Sequence, residues 1–220
     1  MTKCPSWLTE KWTTVYIETF LHRIREDYLD TKLRLSKGIN EINWYMDHAR
    51  YNVDPTYLIK AHTAETDYYK LLNEHLASVK GTEADWSDRG KWYIVRIMCT
   101  HPALDRFSFT GMSYQRGTFT ENQFTVGSLI MNKVFLSTSK DRQVLEQAAA
   151  DEQSAMYIFE IRKHGSAMDI ESISEYPQEK EILIHPFCVF KVVSIKCNSI
   201  HNEVEIELRQ NKADKNCCIQ

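Results

Sequence analysis

Residues 177–181 read Pro-Gln-Glu-Lys-Glu and lead into the apolar run Ile182–Ile184. If the whole stretch is a strand, side chains two apart point to the same side, so Glu179 and Glu181 would stand together on one face. Like charges repel, and a buried carboxylate is costly without compensation. Such a pair either stands in water and guards a strand edge, or faces a cleft that handles a cation or a developing positive charge. Two other segments hold polar groups inside strand-like sequence. Arg116, just before Gly117 in "SYQRGT", either snorkels outward or clamps a phosphate with its forked donors. "VFLSTSKD" closes an apolar run with Ser137, Thr138 and Ser139, residue types that favour caps and turns.

Other chemistries find less support. The eight histidines are dispersed, with no HExxH, and the six cysteines form no CxxC pair, so no metal is expected. There is no GxGxxG, no GxxxxGK[ST] and no GxSxG, so a nucleotide would have to be held in some other way. A formal net charge of −3, with Lys and Arg scattered throughout, argues against nucleic acid as a partner. No apolar run approaches the ~20 residues of a membrane span. "MTKCPSWLTEKW" has no apolar signal core, and reduced thiols in the cytoplasm are the matching expectation.

The elements that must position these residues fall into two halves. Up to about residue 104 the texture is helical. "HTAETDYYKLLNEHLASVKG" shows Tyr68, Leu71, Leu72 and Leu76 at helical spacing, with Thr63 as the expected N-cap and Gly81 as the stop. "KWYIVRIMC" is ambiguous and is read as helix. From about 105 to 210, short β-branched and aromatic runs alternate with Gly, Pro, Asn and Ser: "RFSFTGMSYQRGT", "NKVFLSTS", "SAMYIFEIR", "KEILI", "FCVFKVVSI" and "NEVEIELRQ". "KDRQVLEQAAADEQS" reads as a short helix between two of them. The expectation is one α+β domain over 1–210, followed by a loose tail, 211–220.

The order of the polar groups is informative: arginine on a first strand, Ser-Thr-Ser on a second, Glu-x-Glu entering a third. "SYQRGTFT", "KVFLSTSKD" and "YPQEKEILI" resemble the arginine-specific mono-ADP-ribosyltransferases, whose signature is arginine, serine, glutamate. "TAETDYYKLLNEHL" is similar to a helix that this family carries ahead of its catalytic core. The resemblance covers about residues 60–195. It implies a helical N-terminal part packed on a split, mostly antiparallel β-sheet core that binds NAD. The implied reaction moves ADP-ribose from NAD to an arginine side chain of a target protein, or to a small guanidino acceptor, and releases nicotinamide. NADP in place of NAD is left open.

By the same resemblance, Glu181 is the catalytic glutamate, which stabilises positive charge on the ribose, and Glu179 orients the acceptor guanidinium. Arg116, with Gly117 beside it, contacts the NAD phosphates, and Ser137 supports the ribose and Glu181. Thr138 and Ser139 complete the cofactor-side motif, where they cap and rigidify the strand end. Tyr176 falls in the loop that recognises the target, either stacked on an arginine or packed within the loop. Gln115 stands where the family often has an aromatic, and Tyr114 is one position earlier. Phe159 is a candidate for the aromatic beside nicotinamide, with its face undecided. Two rival readings remain: an NAD glycohydrolase, and an inactive NAD-binding module. "CCIQ" fits a prenylation box with Cys217 as acceptor. Cys218 stands where an aliphatic residue is usual, which makes a chance match the simpler reading, and membrane contact depends on that lipid.

Overall fold

The computed structural model describes residues 12, 14–80, 89–118, 124–146, 154–198 and 203–211. The expected helix stop at Gly81 and the Cys217 tail lie outside them. The chain divides into two compact units. One comprises residues 1–106 with 173–175 and 216–220, and the other 107–172 with 176–215.

The first unit is helical. Helix α1 (Thr14–Ile24) continues through a π turn, Arg25–Leu29, into a last turn, Asp30–Lys32. Then come α2 (Ile39–Tyr51), α3 (Thr56–Thr63), α4 (Tyr68–Ala77) and α5 (Arg89–Thr100). Helix α5 is the hub. Trp92, Ile94, Val95, Arg96, Ile97 and Met98 are all buried, and a helix covered all round loses the one-sided pattern that marks a surface helix. That is why "KWYIVRIMC" reads ambiguously in sequence. The Arg96 guanidinium lies 4.8 Å from the ring centres of both Trp12 and Phe20, within cation–π range. At Gly90 an added Cβ would sit 2.5 Å from the Tyr28 Cβ, so glycine is what lets α5 approach the π turn.

Helix α4 buries Tyr68, Leu72 and Leu76, one face at four-residue spacing. Its N-terminus corrects the sequence expectation. Thr63 is the last residue of α3, and its hydroxyl donates to the Lys60 carbonyl at 3.2 Å. A threonine that bonds back within its own helix is not free to cap the next one. Asp67 is the capping residue of α4, and the Thr66 hydroxyl accepts from the Tyr68 N–H at 3.2 Å.

The second unit is an eight-stranded sheet in the order β2-β7-β8-β4-β1-β3-β6-β5. Six strands coincide with the six runs named above: β1 (Gly111–Thr118), β3 (Leu136–Ser139), β4 (Ser154–Ile161), β6 (Glu181–Ile184), β7 (Val189–Asn198) and β8 (Glu203–Gln210). Two three-residue strands, β2 (Leu129–Met131) and β5 (Ala167–Asp169), are too short for a periodic signal. All pairings are antiparallel except β4 with β8. Helix α6 (Arg142–Glu146) follows β3. Helices with a mostly antiparallel sheet make an α+β protein.

One face of this sheet carries its core. Ala155, Phe159 and Ile161 of β4 join Ile182 and Ile184 of β6, Phe190 and Val192 of β7, and Ile206 and Leu208 of β8. Phe159 is 3% exposed and meets Phe190 edge to face at 5.3 Å. Opposite residues in an antiparallel pair share a face. Phe159 pairs with Ser113 and Met156 with Arg116, so Phe159 points away from the side that carries Arg116. Phe159, the candidate whose face the sequence left undecided, is therefore a core residue. Phe159→Ala should cost about 3–5 kcal/mol and lower Tm by roughly 10 °C, read by thermal denaturation.

Candidate functional site

Strands β1, β3 and β6, which carry the three sequence motifs, are adjacent in the sheet. Tyr114 lies opposite Ser139, and Ser139 lies opposite Glu181, so these three share a face. Stepping two residues along each strand adds Arg116 and Ser137 to it. This side is the reverse of the hydrophobic core, since Ile182 and Ile184 alternate with Glu181. Tyr114 thus stands on the Arg116 side. Gln115 lies on the other, and its amide donates to the Ser137 carbonyl at 3.0 Å, bolting β1 to β3.

Glu181 is the buried carboxylate of this face. It is 5% exposed, and burial pushes its carboxyl above the ordinary carboxylate range. A hydrogen bond from the Ser137 hydroxyl pulls it down, and the nearby Glu179 charge pushes it up again. The three effects are the expected signs for desolvation, a donor to the ionised form, and a like charge. Perturbed carboxyls of this kind concentrate at functional sites, and structural charge networks produce them as well.

The strand geometry imagined for the glutamate pair is corrected. Glu179 closes a 3₁₀ turn, Pro177–Glu179, with the Glu179 N–H on the Tyr176 carbonyl at 3.1 Å. Lys180 then adopts a left-handed conformation, φ 49°, ψ 48°, and only at Glu181 does the strand begin. Pro177 at the start of the turn supplies the helical φ. The left-handed step costs a non-glycine residue about 1–2 kcal/mol. Glu179 consequently remains exposed beside the buried Glu181, although the two are not on one pleated face. The segment leading in is fixed within the helical unit, where the Glu175 N–H donates to the Thr63 hydroxyl at 3.1 Å. Tyr176 is half-buried.

The end of β3 grips this turn. The Ser139 hydroxyl donates to the Glu179 carbonyl at 2.8 Å and accepts from the Asp141 N–H at 3.2 Å. The Lys140 N–H donates to the Lys180 carbonyl at 3.0 Å. The Lys180 ammonium reaches Asp141 at 2.7 Å. Thr138, on the core side, donates to the Ile182 carbonyl at 2.8 Å. Both hydroxyls thus bond to backbone. Gly117 alternates with Arg116, and a Cβ there would lie 3.1 Å from the Tyr157 ring.

Arg116 is half-buried and donates from Nη1 to the Leu145 carbonyl of α6 at 2.7 Å. That helix is tethered in turn by Arg142, which bridges Glu146 and Glu205 of β8. Asp141 and Lys180 escaped the sequence reading. Asp141 carries a signal, an aspartate just ahead of a helix; its Oδ1 accepts from the Gln143 N–H at 2.9 Å. Lys180 carries none, because left-handed positions are usually glycine or asparagine. Among the described residues, no group of His, Cys, Asp and Glu is placed to hold a metal ion, and no helix is long and apolar enough to cross a membrane.

This fold is shared with solved structures of ADP-ribosyltransferases. HopU1 of Pseudomonas syringae pv. Tomato superposes with a TM-score of 0.60 at 16% identity, covering 92% of this chain and 99% of its own. C3stau2 of S. aureus, solved with NAD, gives 0.57 at 16% identity over 77% and 92%. Vis of Vibrio splendidus, solved with agmatine, gives 0.54 at 16% identity over 79% and 84%. No curated protein sequence matches the chain. Residues 49–216 match the model of the NAD:arginine ADP-ribosyltransferase family, and the chain belongs to that family.

With Glu181 as the reacting carboxylate, activity should fall as pH drops through its raised pKa. Glu179→Gln removes a like charge and should shift this acid limb to lower pH. Ser137→Ala removes the stabilising donor and should shift it higher. Profiles of NAD turnover against pH for the three proteins check both signs.

Proposed function

We propose that this protein is a mono-ADP-ribosyltransferase that uses NAD to modify arginine side chains, with nicotinamide as the leaving group. The observation that carries the reading is the pairing of a buried, Ser137-bonded Glu181 with an exposed Glu179 two residues before it. The donor set suits NAD: the Arg116 fork, on the Glu181 side of the sheet, matches a pyrophosphate. Gly117, Thr138 and Ser139 belong to the same motifs and act by shaping the strands under that site.

Glu181 accepts a hydrogen bond from the 2′-hydroxyl of the nicotinamide ribose and stabilises the positive charge that grows on C1′ as its bond to nicotinamide breaks. The electron pair leaves with nicotinamide. Ser137 holds the Glu181 carboxylate in place. Glu179 orients the acceptor guanidinium and takes its proton as a guanidino nitrogen bonds to C1′; free guanidinium hardly ever loses that proton in water. Tyr176 stacks on the incoming arginine. Agmatine, bound by Vis, is a fitting small acceptor, and a surface arginine of a protein is the larger one.

The test is transfer of labelled ADP-ribose to agmatine alongside nicotinamide release. Glu181→Gln should lower both by at least about 10²-fold. Glu179→Gln should lose transfer by a similar factor while release survives. Release without transfer in the wild type would make the protein a glycohydrolase. Bound NAD with neither activity would make it a binding module.

A further inference from the structure

We infer that Asp141 and Lys180 form a positioning pair that sets how ADP-ribose is divided between a guanidino acceptor and water, an inference resting on the transferase reading above. The two glutamates are held by different means. Glu181 is fixed by strand pairing with Ser139 and by the Ser137 hydroxyl. Glu179 lies outside the strand, and its direction depends on Lys180 staying left-handed at φ 49°. A lysine has no intrinsic reason to stay there. Its own N–H bonds back to the Pro177 carbonyl at 3.1 Å, and the segment after β3 adds the tether: the Lys140 N–H on its carbonyl at 3.0 Å, and Asp141 Oδ2 on its ammonium at 2.7 Å.

Asp141 faces two ways. Its Oδ1 accepts from the Gln143 N–H at 2.9 Å and so caps α6, the helix whose Leu145 carbonyl receives Arg116 at 2.7 Å. Its Oδ2 receives Lys180. The Lys180 ammonium, with the Gln143 N–H, holds the Asp141 carboxyl below its usual range. One carboxylate therefore joins the element that touches the phosphate-binding arginine to the turn that presents the acceptor glutamate. Loosening it at the Lys180 end leaves the Glu179 backbone bonded to Ser139 and Tyr176 but lets its side chain swing with the Lys180 step, while Glu181 stays where strand pairing puts it. Transfer to arginine then falls while cleavage with water as acceptor continues.

Asp141→Asn keeps an oxygen for the α6 cap and loses the charge; Lys180→Met loses the ammonium and keeps the length. At saturating NAD, each should lower the ratio of agmatine transfer to nicotinamide release about three- to fivefold, the scale of a partly exposed ion pair. The double variant should be no worse than either single, and Lys180→Arg should restore the ratio. Added salt should lower the wild-type ratio more steeply than that of the variants, which lack the pair and feel only the screening of Glu179 from agmatine. Release measured without agmatine should match wild type throughout. An unchanged ratio in the variants of a wild type that transfers would overturn the pair's role alone. Parallel loss of both reactions with a lower Tm would also overturn it, by showing plain destabilisation. A wild type without transfer would overturn the transferase reading and this inference together.

Discussion

The site turns on one unfavourable act, the burial of the Glu181 carboxylate beside a second carboxylate. Water is removed from the group and a like charge is set near it, and both favour its protonated form. One Ser137 hydroxyl works against them. A carboxylate so placed gains most from a positive charge arriving nearby, since that charge replaces the lost solvent in a region of low effective dielectric. The ground state of the free protein is thus primed for a cationic species, and the rest of the sheet can be understood as what keeps this arrangement from relaxing.

The sheet does so by separating the two jobs of its central strands. On one face Phe159, Ile182, Ile184 and Phe190 form a tight hydrophobic layer. On the other, β1, β3 and β6 present Arg116, Ser137 and Glu181; β6 carries both layers, so the apolar packing that fixes its backbone also fixes the place of Glu181. Hydroxyls finish the work at the strand ends. Thr138 and Ser139 both donate to carbonyls of the 179–182 segment, at 2.8 Å each. Two cross-links of that kind hold the start of β6 where strand pairing alone would fray.

Much of this was legible in the sequence, and for a physical reason. Strand alternation and residue order are properties of covalent spacing, so "SYQRGT", "VFLSTS" and "KEILI" identified three strands and the side chains that matter on them. Adjacency of those strands was not in the spacing; it came only through the family resemblance, because which strands pair is decided by tertiary packing. Phe159 shows the limit within one strand. "SAMYIFEI" is apolar on both sides, and its facing follows only from the register against Ser113. The Glu-Lys-Glu step was misread as extended chain because a left-handed lysine has no local signature. Thr63 was misread because a threonine that ends one helix looks the same in sequence as one that begins the next.

In the proposed mechanism Arg116, Ser137 and Glu181 form one NAD site on the face opposite the core. A crystal structure with a non-hydrolysable NAD analogue tests it most directly. The pyrophosphate should lie within hydrogen-bond distance of the Arg116 guanidinium and the nicotinamide-ribose 2′-hydroxyl on the Glu181 carboxylate, with Ser137 alongside. An analogue seated elsewhere, with Glu181 still bonded only to Ser137, would contradict it.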